Sequence, residues 1–358
     1  MASAQPSRPV PPAGWIETFA LERGMLRDLV AGPSGLLAAG CVLDVEGTCS
    51  RAILLASPDG RSWAEIDLEG ATGSHIQSIK RVGARLFALG YRADDVRFEI
   101  RATPWTSIDG RTWTLIESTT FENRSVTDII DAPLGALAIG HRTPYGSESF
   151  GFATWQVGSD GSFGGLHVVS ADSAFVNGVA WVGSRFIAWR PEYETGPNDE
   201  AFRSTVLMTS SDGKEWTDQP KVASFHGATV EAMIVFGDRL VAIGYEGATW
   251  PPTPRAWTSR DGKSWAAAEV PVALGALYTV GIEGSRLVAR GREAVGSADQ
   301  PLTWRSTDGT VWTRVGDHED MPAIPGFSAL NHVTIGPLAC TAGTYWSDAG
   351  ASAAIYCR

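Results

Sequence analysis

Helical periodicity is what this chain of 358 residues most conspicuously lacks. No stretch longer than roughly ten residues repeats apolar side chains every three or four positions, so helix bundles and coiled coils are excluded. No apolar run reaches the length of a membrane span, and no membrane insertion is expected. Basic charge is scarce, with 29 Lys and Arg against 40 Asp and Glu and a formal net charge of −11. Nucleic acid needs a basic surface and is not an expected partner. The Gly-X-Ser-X-Gly elbow, the P-loop, the dinucleotide fingerprint and His-Glu-X-X-His are all absent. No cofactor is expected. The four cysteines lack Cys-X-X-Cys spacing and the six histidines are scattered, so no metal site is expected. The acidic run Asp317-His318-Glu319-Asp320 reads as a solvated loop that is able to meet a cation.

What is present is a repeat. Ser57-Pro58-Asp59-Gly60-Arg61-Ser62-Trp63 recurs as Ser107 to Trp113, Ser211 to Trp216, Ser259 to Trp265 and Ser306 to Trp312. A worn copy, Ser159-Asp160-Gly161-Ser162-Phe163, stands between the second and third. A period near fifty residues means an array of one supersecondary unit. Around Asp109 the unit reads as four strands: Ile76–Val82, Arg85–Tyr91, Ile100–Thr106 and Trp113–Ile116. Asp-Gly readily makes the tight turn between the last two. The second strand recurs as Leu36–Gly40, Ala136–Gly140, Leu240–Gly244 and Leu287–Gly291, and departs at Phe186–Arg190, where Trp-Arg replaces the small residues. Four short strands per unit predict an all-β, seven-bladed β-propeller of four-stranded antiparallel blades. Six or eight blades would leave strands unpaired. The last unit supplies three strands only, and Trp15 precedes Trp63 by one period. The N-terminal strand is therefore expected to close the ring by joining the C-terminal blade, which removes two edges. Residues 1–12 read as a flexible segment and 13–358 as one propeller domain.

The turn motif resembles the Asp-box, or BNR repeat, of the sialidase-like propellers, whose usual form is Ser-X-Asp-X-Gly-X-Thr-Trp. Here it is one residue shorter, with Gly directly after Asp. The resemblance runs blade by blade along the whole chain and implies a structural role for Asp59, Trp63, Asp109, Trp113, Asp212, Trp216, Asp261, Trp265, Asp308 and Trp312. In that family the boxes lie on the face opposite the active site. The residues agree: Ser and Asp side chains can bond the N–H groups of their own turn, and Trp covers it. The family's activity further implies three arginines for a substrate carboxylate, a Tyr nucleophile activated by Glu, and an acidic acid/base. Arg142, Arg190 and Arg292 lie near one rim, and Glu231 and Tyr278 occupy adjacent blades as a candidate catalytic pair. The family's Arg-Ile-Pro signature is absent; Arg101-Ala102-Thr103-Pro104 and Arg190-Pro191 are the nearest strings.

Cys41 and Cys49 fall on neighbouring strands of one hairpin, as do Cys340 and Cys357. Two disulfides are expected, and with them an oxidising compartment. Reduced cysteines would instead place the chain in the cytoplasm. Ala2-Ser3-Ala4 resembles the tail of a signal cleavage site, consistent with a secreted protein whose leader has been removed.

Function is expected on the loops opposite the Asp-Gly turns, because variable loops on a rigid scaffold carry it. These loops hold Tyr91, Arg92, Asp94, Asp95 and Arg97; His141, Arg142, Tyr145 and Glu148; Arg190, Glu192, Tyr193, Glu194 and Arg203; Tyr245, Glu246, Trp250 and Arg255; Arg292 and Glu293; and Tyr345, Trp346 and Asp348. Trp181, Trp189, Trp250 and Trp346 stand outside the repeat positions. Aligning the innermost strands stacks Arg27, Gln77, Thr127, Asn177, Glu231 and Tyr278 in one polar column at the expected channel mouth. The candidate ligand-binding set is Arg142, Arg190, Arg292, Glu246, Tyr245, Trp250, Asn177 and Gln77. The preferred reading is a monomeric, extracytoplasmic, non-catalytic module that recognises a glycan or a protein partner. The alternative is a glycoside hydrolase of acidic sugars with its site at the channel mouth.

Overall fold

The computed structural model describes residues 11–94, 99–142, 151–170, 175–195, 201–271, 273–296, 298–315, 324, 327–347 and 350–358. Tyr145, Glu148, Asp95, Arg97, Asp348, the 317–320 run and most of the N-terminal segment lie outside them. No helix among the described residues is long and apolar enough to cross a membrane.

The described residues are all-β, and their sheets are antiparallel but for one parallel pairing, Arg101 with Arg124. Five sheets have four strands, and a larger one holds two further quartets joined through the short strand Glu99–Ala102. The sheet of Gly178–Val182, Arg185–Thr195, Ala201–Ser210 and Thr217–Asp218 is representative: each strand pairs with the next in sequence. Such local pairing needs only short turns, and Gly183 and Gly237 supply the positive φ of two of them, +60° and +61°. The expected third strand around Asp109 is interrupted, running as Glu99–Ala102 and Trp105–Ser107. Pro104 sits in the gap because it has no N–H to give to the ladder. Ile16–Leu21 pairs with Gly350–Cys357, so the first strand of the chain is the fourth strand of its last sheet. Trp15 stands just ahead of that strand, as Trp63 stands just ahead of Ala64–Glu65.

Two compact units divide these sheets. One comprises residues 1–79, 109–112 and 316–358, and the other 80–108 and 113–315. In the first, Leu26, Leu36, Ala38, Ile53 and Leu55 pack with Cys340, Ala342, Ala353 and Ile355. In the second, Trp155, Trp257 and Trp304 anchor successive cores, each under 4% exposed. Both expected disulfides form: Cys41–Cys49 with Cα atoms 5.6 Å apart and Cys340–Cys357 with Cα atoms 4.1 Å apart.

The Asp-Gly turns are built as their residue types dictate. Ser259 Oγ accepts the Gly262 N–H at 2.8 Å, and Asp261 Oδ1 accepts the N–H groups of Lys263 and Ser264 at 2.8 Å each. These donors hold the Asp261 carboxyl down at about 2, as Thr310 and its neighbours do for Asp308. The Trp312 indole donates to Gly309 O at 3.0 Å, closing its own turn. The turns also reach across to the sheet before them. A Cβ on Gly213 would meet Leu137 at 2.6 Å, and one on Gly309 would meet Val241 at 2.5 Å. Arg185 Nη2 donates to Asp261 O at 2.5 Å, and Thr154 Oγ1 to Gly213 O at 2.6 Å. Each turn is thus a clasp between sheets as well as a hairpin end.

Candidate functional site

The recurring glycine of the second strand shapes the site. Pairing slips by one residue between Val230 and Ala232, so Glu231 occupies a β-bulge; Tyr278 does the same between Leu277 and Thr279, Thr127 between Val126 and Asp128, and Arg27 between Leu26 and Asp28. Each bulge pushes a backbone carbonyl towards the facing strand, and only glycine leaves room for it. A Cβ on Gly244 would run into the Thr229 carbonyl oxygen, and one on Gly291 into that of Ala276. The polar column is therefore largely a column of bulge residues. Where Arg190 stands at that glycine's position, the first strand pairs without a slip, and the close approach is made by Gly178 against the ring of its register partner Trp189. Within the second unit the bulge at Tyr278 places that ring on the wall of a cleft, and the Glu231 bulge lies on the strand that pairs with the one carrying Tyr245, another wall residue.

The cleft has a volume of about 360 Å3 and lies wholly within the second unit. Tyr193, Tyr245, Trp250 and Tyr278 wall it, Arg203 stands among them, and Gly247–Thr249, Pro252 and Ala276 complete it. Tyr193, Trp250 and Tyr278 are 67%, 50% and 39% exposed, well beyond what packing alone would leave to large aromatic rings. The Arg203 guanidinium lies 5.0 Å from the centre of the Tyr193 ring. Tyr245 pairs in register with Thr229, two residues from Glu231 on the neighbouring strand. Burial raises the Glu231 carboxyl above the ordinary range, while Tyr245 and the Arg203 charge pull it back. Burial, then the Glu231 charge, pushes the Tyr245 phenol up.

This geometry is held by buried polar bonds between adjacent sheets. Thr205 Oγ1 donates to Ala228 O at 3.0 Å and accepts the Val230 N–H at 2.9 Å. Ser204 Oγ accepts the Gly227 N–H at 3.1 Å. Asn177 Nδ2 donates to Val230 O at 3.0 Å, next to the Glu231 bulge. The strand carrying Arg203 is thereby fixed against the strand carrying Glu231. The loop carrying Trp250 is tied at both ends, by Gly247 N–H to Gly227 O at 3.2 Å and by Gly275 N–H to Pro252 O at 2.7 Å. Pre-organisation of this kind lowers the ordering cost of binding.

The remaining expected site residues fall elsewhere. None of Arg142, Arg190 and Arg292 lines the cleft. Arg190 reaches outward to Asp218 Oδ2 at 3.2 Å, on the outermost strand of its sheet. Arg142 lies directly across from Arg124 in the ladder, and their like charges lower the Arg124 guanidinium's affinity for its proton, behind burial. Arg292 pairs in register with Ala276 and Pro301. Glu246 is held by Arg255 at 2.8 Å. Glu231 finds its phenol partner on the neighbouring strand of its own sheet, at Tyr245, where Tyr278 was expected to supply it. Gln77 is an exposed residue of the first unit. His141 is 1% exposed and stacks on Phe175 at 3.9 Å, and Tyr345 is buried, so neither is a rim residue. Sequence reasoning placed Arg203 among the loop residues without giving it a ligand. In the structure Arg203 is exposed while the two hydroxyl residues that follow it, Ser204 and Thr205, are buried.

Comparison with solved structures identifies the fold. The β-propeller domain of the trilobed protease from Pyrococcus furiosus superposes with a TM-score of 0.55 at 12% identity, over 90% of each chain. Pyrococcus horikoshii acylaminoacyl peptidase gives 0.55 at 10% identity over 90% of this chain, which spans about half (51%) of that one. Trypanosoma rangeli sialidase in complex with sialic acid gives 0.48 at 12% identity, over 92% of this chain and 60% of that one. No family model and no curated protein matches the chain. At these identities the likeness establishes a β-propeller and nothing about activity.

Proposed function

We propose that this β-propeller is a secreted, monomeric recognition module that binds a glycan in the cleft between Tyr193 and Tyr278 without turning it over. The observation that carries the reading is the cleft itself: exposed aromatic faces around the Arg203 guanidinium. An aromatic ring offers a flat, electron-rich face to the C–H face of a sugar, and Arg203 offers donors to its hydroxyls. The two disulfides favour an extracytoplasmic setting. We further propose seven blades with Asp-box turns and a ring closed by the N-terminal strand. Support comes from the pairing of Ile16–Leu21 with Gly350–Cys357. The Gly60 turn also seats against Leu338, Cys340 and Cys357 as Gly213 seats against Leu137.

The hydrolase reading draws less support. A phenol nucleophile needs a lowered pKa, and that of Tyr245 is raised. A carboxylate clamp needs several arginines, and the cleft has one.

A broad glycan array tests the proposal. The wild type is expected to retain a defined set of glycans, and Trp250→Ala and Tyr278→Ala each to lose about tenfold in affinity or more. Both side chains are largely exposed, so thermal stability should stay within about 0.5 kcal/mol. A blank array, or release of sugar from a bound glycoside, would overturn the reading; a blank would direct the search to a protein partner of the same cleft.

A further inference from the structure

We infer that a row of four arginines, Arg92, Arg101, Arg124 and Arg142, is a second binding site, which takes a sulfated polysaccharide laid across its strands. The site is separate from the aromatic cleft and does not depend on it. Arg92 stands opposite Arg101, Arg101 beside Arg124, and Arg124 opposite Arg142. Their four strands are consecutive neighbours in the large sheet of the second unit. Residues directly opposite in a ladder share one face of the sheet, so the row presents its charges together. A strand spacing of about 4.8 Å makes it roughly 14 Å long, the reach of a few sugar residues. Arg92, Arg101 and Arg142 are exposed. Arg124 is half-buried and held in place: its Nη1 donates to the carbonyl oxygens of Thr120 and Glu122 at 3.3 and 3.0 Å. Its Nε is buried without a hydrogen-bond partner among the described residues.

Like charges set opposite one another work against a sheet, and here four stand side by side in a chain whose net charge is −11. Glu122 meets Arg101 at 3.2 Å, but both side chains are about half exposed, and such a pair contributes little. A bound polyanion would relieve the repulsion along the whole row. The layout indicates the form of that anion. A single small anion needs donors that converge on one point, whereas an even row suits a linear chain with an anionic group on successive units. Guanidinium forks meet oxyanions through paired N–H groups. Asp94 faces Glu99 two residues further along, so the basic row is one residue deep, as a chain lying along it requires. An acidic peptide fits less well. Peptides add most readily as a strand at a free edge, and each of these four strands already has a neighbour on both sides. The two disulfides favour an extracytoplasmic setting, where the linear polyanion on offer is a sulfated polysaccharide.

Calorimetric titration with a heparin-type sulfated hexasaccharide tests the assignment, with the desulfated chain and a polyglutamate peptide of equal length as comparisons. Wild type is expected to bind the sulfated probe and neither of the others, and to lose at least about tenfold in affinity between about 50 and about 200 mM salt. Arg101→Gln and Arg142→Gln should each weaken it about tenfold. Arg111→Gln, an exposed arginine of an Asp-Gly turn, and Trp250→Ala in the cleft should leave it unchanged. Near-UV dichroism confirms that each variant is folded. No binding of the sulfated probe, equal binding of the desulfated chain, or an equal loss in Arg111→Gln overturns the assignment. So does unchanged binding in folded Arg101→Gln and Arg142→Gln. Tighter binding of polyglutamate overturns it in favour of an acidic protein partner. Each of these results leaves the glycan cleft to its own test.

Discussion

Replacing Gly244 by alanine is expected to lower stability by about 3 kcal/mol and to cost glycan affinity at least about tenfold. The added Cβ would collide with the Thr229 carbonyl oxygen and lie 2.9 Å from its carbon and 3.1 Å from Val230 Cα. All three are backbone atoms, so no side chain can swing away. The first strand must shift, and the bulge that presents Glu231 shifts with it. Gly281→Ala is the control. It lies in the Tyr278 strand and nothing stands within 4 Å of its added Cβ, so a change within about 0.5 kcal/mol and unaltered binding are expected. Denaturant unfolding and one binding titration suffice. An equal cost at both positions would mean that Gly244 owes nothing to the bulge.

Acid is expected to destabilise the fold well above the carboxylate range, and His141 is the chief cause. Burial holds its ring at about 4 against an ordinary 6.5, and the Val176 backbone offsets this only in part. The unfolded chain therefore takes up a proton near pH 6.5 that the folded chain refuses until about pH 4. The stabilisation is complete above pH 6.5 and is lost as pH falls through about 4, a difference of about 3 kcal/mol. His75, half-buried beside Arg27 and also held at about 4, acts in the same direction. The turn carboxylates Asp261 and Asp308 add a second loss lower down, between their ordinary 3.8 and about 2. Unfolding free energies at a series of pH values should slope upward between pH 4 and 6.5. His141→Phe should flatten much of that slope. A slope unchanged in a folded His141→Phe variant would assign it elsewhere.

Much of the fold was legible because its signals are local. Asp-Gly turns need particular residues at particular offsets, and Trp15 could be placed by its spacing alone. The cysteine pairs followed from hairpin neighbourhood. The site was legible only in outline. The polar column named Glu231 and Tyr278, which stand at bulges of two different sheets of the second unit, but alignment cannot reveal a slip in pairing. The bulges that aim these side chains were written in the glycines opposite them, which read simply as small residues. The partnership of Glu231 with Tyr245 depends on register across two strands. The departure at Arg190 looked like a site and turned out to be packing: Trp189 is buried and Arg190 faces the outer strand. Acidic and basic residues along a rim carry no sign of whether they face a ligand or one another, and Glu246 with Arg255 is of the second kind.

Hydrogen exchange read by mass spectrometry, with and without a saturating pool of neutral oligosaccharides, tests the central claim most directly. Protection of residues 245–252 and 276–279, with the Asp-Gly turns at 211–214 and 259–262 unchanged, is the predicted result. Protection confined to the turns, or none at a saturating pool, would contradict it.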